Sequence, residues 1–188
     1  MKYLQDGGFQ KNPLMRLSLG LTLALLLGFW ATNAAMYFTR MGLTTSSVAR
    51  YYNGSEEDFT PPRSAESMLE TTHMHLPMMG MVLLFLTHLA IFVPSSRRTK
   101  AAFILTAFVG ALAQEGGGWL VRFVSPALAP VKIGGFLALQ GSIIYLLAVL
   151  ALFLWRAARV PAAGQAPAAA PRRRHEPALA RLPAGEGA

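Results

Sequence analysis

The chain has 188 residues, 53% of them hydrophobic and only 14% charged, against a charged share of roughly 25% in soluble domains; a membrane protein is expected. It contains no cysteine, which excludes disulfides, thiolate zinc sites, iron–sulfur clusters and covalent c-type haem and leaves His, Met and carboxylate as metal donors. The net charge of +8 clusters beside the ends of apolar segments, a pattern of membrane orientation rather than of nucleic-acid binding.

Residues 1–16 form a polar, basic segment with Lys2, Lys11 and Arg16. It leads into an apolar run over 17–38, long enough at about 1.5 Å per residue to span a hydrocarbon layer of roughly 30 Å. The small residues from Ala31 to Ala35 would also suit a cleaved signal peptide. The run continues through Met36-Tyr37-Phe38, which argues for retention. Residues 40–63 read as a polar loop. Asn53-Gly54 marks a turn there, Pro61-Pro62 stiffens the approach to the next helix, and Glu56-Glu57-Asp58 reads as a solvated face.

A second helix is expected over 68–93, followed by the short basic return Pro94 to Lys100, a third over 101–121 and a fourth over 131–155. In the third, Gly116-Gly117-Gly118 weakens a helix by roughly 1 kcal/mol per glycine relative to alanine. Close approach to a cofactor, a helix end or tight helix packing would compensate. Residues 156–188, rich in Ala, Pro and Arg, lack the periodicity to form a core and read as a disordered tail. Lys and Arg fall mostly on the side of the two termini, which the positive-inside rule makes cytoplasmic. The fold expected is all-α: an integral membrane four-helix up-and-down bundle over 17–155.

Chemistry concentrates on the second helix, which holds His73, His75 and His88, three of the four histidines. Imidazoles and a carboxylate on an apolar helix usually mark function. At about 100° per residue, Glu70, His73, Met74, Pro77, Met81 and His88 fall on one stripe, and His75 points about 140° from Glu70. His73 and His88 lie about 22 Å apart along the axis. With Asn33, Glu115 and Gln140 at similar depth on the other helices, a site between helices in the outer half of the bilayer is expected. Pro77 removes the hydrogen bond to the His73 carbonyl and loosens that turn.

Tyr51-Tyr52-Asn53-Gly54-Ser55-Glu56-Glu57, and Ser64 through Glu70-Thr71-Thr72-His73-Met74-His75-Leu76, resemble a group of small bacterial four-helix inner-membrane proteins. Their shared signature is Thr-His-x-His before an apolar helix with a later histidine, here His88. The resemblance implies the topology, the inner membrane and the choice of histidines, and it brings no activity with it.

Three functions compete. The first is a redox subunit that holds b-type haem or contacts quinone through His73, His75 and His88, with Glu115 in proton transfer and electrons passing to a partner subunit. A bis-histidine haem would need a second histidine from a homodimer or another subunit. The second is a copper or iron site from His73, His75, Glu70 and Met74: imidazole and thioether suit cuprous copper, and Glu70-x-x-His73 has di-iron spacing. The third is an assembly or anchoring protein whose histidines only pack. No nucleophile–base pair or phosphate-binding glycine loop is present, which argues against hydrolase and nucleotide-dependent activity.

Overall fold

The computed structural model describes residues 12–159, all α-helical apart from turns; the expected N-terminal segment as far as residue 11 and the tail from residue 160 lie outside the described residues. Five helices follow in order: α1 (Pro13–Arg40), α2 (Thr45–Asn53), α3 (Ala65–Ala90), α4 (Arg97–Phe123) and, after a 3-10 turn at Pro126–Leu128, α5 (Ala129–Arg159). Helices α1, α3, α4 and α5 are long and apolar enough to cross a membrane. The chain is an integral membrane four-helix bundle with up-and-down connections.

Polar caps set the helix starts, and they lie outside the apolar runs that periodicity detects. Asn12 accepts from the Leu14 and Met15 amides, with Pro13 in the first turn. Ser64 accepts from Ser67 N and Ser96 from Thr99 N. Each satisfies a donor that a bare helix end would leave unpaired. The spans are therefore longer than their hydrophobic stretches, and the return expected from Pro94 to Lys100 is largely absorbed into α4. At the far end Arg156 and Arg159 extend α5, where cations favour the helix dipole. Arg159 also lies 3.6 Å over the Trp155 ring.

Helix α5 is the hub. It packs antiparallel along α4, with α1 and α3 also resting on it. The α4–α5 seam is built from glycine. A methyl group on Gly110 would stand 2.8 Å from Leu139 N, and one on Gly117 2.7 Å from Lys132 Cα. Gly135 is pressed on the Gln114 backbone in the same way. Small residues let two backbones approach and gain dispersion contacts that lipid cannot supply. Helix α1 is bound more lightly, burying only Leu23 and Tyr37. Its ties to α5 include a Trp30 Nε1 donation to the Gln140 carbonyl at 3.1 Å and a Tyr37–Phe136 ring stack at 3.7 Å.

The polar loop expected over residues 40–63 contains helix α2, which closes one end of the bundle. Val48 is completely buried and Tyr52 nearly so. Beyond it, Ser55 and Thr60 pair across a tight turn whose tip, Phe59, has a positive φ of 51° and is exposed.

Candidate functional site

Helical phase decides which polar groups of α3 meet the bundle. Its buried side is Met68, Met79, Val82, Leu83, Leu86 and Ala90, and His75 lies on that side. The stripe read from the sequence lies on the opposite one. Glu70, His73, Met74, Met81 and His88 are all exposed, and His88 rests edge-on against Phe92 at 5.8 Å. A single inward-facing pocket shared by these groups is thus not what forms. Among the described residues no three His, Asp or Glu side chains could hold one metal ion.

His75 does meet an acid at its own depth. Its Nδ1 lies 3.0 Å from Glu115 Oε1, with the carboxylate side chain only 10% exposed and the imidazole 44%. A cleft of about 80 Å³ surrounds the pair, lined by Asn33, Tyr37 and Arg40 of α1, Tyr51 and Tyr52 of α2, Thr71 of α3, Gln114 of α4 and Lys132 of α5. Helix α2 roofs it, and α4 and α5 form its floor. Helices α1 and α3 flank it without forming a packed interface of their own. A roomier cavity of about 420 Å³, between α1 and α5 near Leu23 and Leu154, is lined without any titratable side chain.

The triple glycine builds this site. Gly116 has open space beyond it, Gly117 admits the α5 backbone at Lys132, and Gly118 seats Tyr52, whose hydroxyl would lie 2.6 Å from an added methyl. Tight packing is the compensation, with α2 anchored as a further consequence. Burial first, then the neighbouring Tyr51 and Glu115, holds the Tyr52 hydroxyl above its ordinary pKa. Lys132 Nζ donates to the Gln114 carbonyl at 2.7 Å and stands 5.8 Å over the Tyr52 ring. At the mouth, Arg63 donates to the Tyr51 hydroxyl at 2.7 Å and Arg40 reaches it at 3.5 Å. Arg122 in turn holds the Arg63 carbonyl at 2.9 Å, and Trp119 donates to Thr72 at 3.0 Å.

Two amides stand out. Gln114 Oε1 and both side-chain polar atoms of Gln140 are buried with no hydrogen-bond partner among the described residues, and each such group carries a desolvation cost of about 1–3 kcal/mol. Gln140 lies about two helical turns deeper on α5 than Lys132. Asn33, at the expected depth, joins the cleft.

Sequence reasoning missed Gln114, Lys132, Tyr51, Tyr52 and Arg40. Lys132 stands second in the expected fourth helix and was not counted among the site residues, yet it is 6% exposed. A lysine inside a spanning segment is itself a signal. Val48 with Tyr51 and Tyr52, at helical spacing after the Thr44 cap, marked an amphipathic helix in the presumed loop.

A family model described as a transmembrane helical domain matches residues 42–161, well over half of the chain. No curated protein and no solved structure matches it.

Proposed function

We propose, for a chain that belongs to the Aq_1264_TM family of transmembrane helical domains, a quinone-contacting subunit whose His75–Glu115 pair exchanges protons with the ligand. The observation that carries this reading is the pairing of a buried carboxylate, Glu115, with the half-exposed imidazole of His75 in a cleft between spanning helices. Quinones travel in lipid and present carbonyl or hydroxyl oxygens to hydrogen-bond donors. The cleft admits the carbonyl edge of such a ring, with the ring itself in the mouth between α1 and α3.

Oxidation of a hydroquinone releases two protons and two electrons. His75 Nε2, which has no partner among the described residues, accepts one hydroxyl proton while the Glu115 carboxylate stabilises the imidazolium that forms, and the second proton follows the same route once His75 has passed the first to water. Arg40 and Lys132 place positive charge where the ligand oxygen turns anionic. The electrons leave singly to a haem or metal centre of a redox partner subunit. By the positive-inside rule, Arg97, Arg98, Lys100, Arg156 and Arg159 make the termini end cytoplasmic. The cleft then lies in the outer half of a bacterial inner membrane, next to the Thr-His-x-His sequence.

The same bond favours one other reading. An Nδ1 tied to a carboxylate leaves Nε2 aimed outward, which is how metal-ligating histidines are held. His75 would then be an axial ligand of haem b or a copper or iron ligand. An absorption spectrum of the gently solubilised protein separates the two: a Soret band lost in His75→Ala supports haem, and a bandless spectrum removes it. The quinone reading is tested by tryptophan quenching, since Trp119 adjoins the cleft. Reconstituted protein titrated with a decyl-substituted benzoquinone should give saturable quenching, weakened about 10-fold in His75→Ala. Non-saturable quenching identical in both proteins sinks it.

A further inference from the structure

The outward face of α3 is left unexplained by the cleft. Glu70, His73 and Met74 are exposed there, Met74 to 65%, with Met78 and Met81 also open. The spacing i, i+3, i+4 brings the first three onto one patch, with side chains about 5–6 Å apart at their roots. His73 lies eight residues into α3, about 12 Å from its start, within the depth where an imidazole facing lipid is costly. A covering surface at that level would remove this cost.

That surface must bring its own metal donors if the patch is to bind an ion, because no third His, Asp or Glu lies within reach among the described residues. Two copies in one bilayer share an orientation. A twofold axis along the membrane normal therefore sets each residue opposite its own counterpart, and Glu70 and His73 become two carboxylates and two imidazoles at one height. Four such donors complete a tetrahedral site. Gly80, on the same face and two turns deeper, has nothing within 4 Å of where a side chain would begin, which lets a facing helix come close. Flexible Met74, Met78 and Met81 fill the irregular remainder.

We propose that two copies of this chain meet along this face of α3 and hold one transition-metal ion between Glu70 and His73 of each. The site occupies the side of α3 opposite His75, so it stands or falls independently of the quinone reading. The test uses the full chain in nanodiscs, stripped with a chelator and titrated with zinc chloride. One zinc per two chains is expected, with affinity falling at least 100-fold in His73→Ala and in Glu70→Ala and unchanged in His75→Ala. Since the chain has no cysteine, Gly80→Cys reports proximity cleanly: oxidation in membranes should give a crosslinked dimer, and Leu105→Cys on α4 should not. One zinc per chain, zinc binding that survives His73→Ala, or a Gly80→Cys chain that stays monomeric each overturns the proposal.

Discussion

The α4–α5 seam and the cleft above it are neighbours with opposite construction. Along the seam, Gly110, Gly117 and Gly135 bring main chains together and leave no room for a methyl group. In the cleft, side chains are large, polar and only partly paired, and buried Gln114 Oε1 has no partner among the described residues. The seam has one arrangement and carries stability; the cleft keeps unmet hydrogen-bonding capacity, which is what the proposed function draws on. The rigidity of the first serves the second, because Glu115 directly follows Gln114 and Lys132 faces Gly117, so the two charged groups keep a fixed spacing.

Breaking the seam should have the largest effect. Gly135→Leu must push the α4 backbone aside, and overpacking of this kind costs about 1–3 kcal/mol or more; loss of monodisperse protein in detergent is the expected readout. Tyr52→Ala comes next, because it empties the seat above Gly118 and removes an aromatic side chain from the packed end of the bundle. A fall in melting temperature with α2 becoming susceptible to protease would show it. Glu115→Gln should leave melting nearly unchanged, since its partner imidazole is 44% exposed, while slowing hydroquinone oxidation by about 100-fold, as loss of a positioned proton carrier does. A Glu115→Gln protein that melts early but reacts normally would reverse this division of labour.

Two smaller effects sharpen it. Tyr52 ionises above the ordinary tyrosine value because of burial, so its phenolate absorbance should emerge above the ordinary tyrosine range as pH rises. The raised pKa sets the sign: this contribution to stability is complete below the unfolded tyrosine value of about 10 and is lost as pH climbs toward the folded one. Gly116→Ala, in open space, should raise stability by up to about 1 kcal/mol through helix propensity. Of the three consecutive glycines, it alone should tolerate the change.

The spans were legible because an apolar run of about twenty residues matches the thickness of a bilayer and outlasts most soluble core helices. The similar depth of His75 and Glu115 was legible from antiparallel helices, but their pairing was not. Which side of α3 faces inward was harder to read. Periodicity groups Glu70, His73 and His88 on one stripe, but choosing between that stripe and its opposite requires knowing where Met79, Leu83 and Leu86 pack, and both sides of a membrane helix are apolar. Helix α2 was hidden for a different reason. Its few buried residues, Val48 and Tyr52, are interspersed with serines and arginine that resemble loop composition.

The proposed ligand route between α1 and α3 has a kinetic corollary. A reactant arriving that way is counted per lipid molecule, not per litre of water. Diluting the protein in buffer should leave its turnover alone, whereas fusing it into empty vesicles should slow it in proportion to the added bilayer.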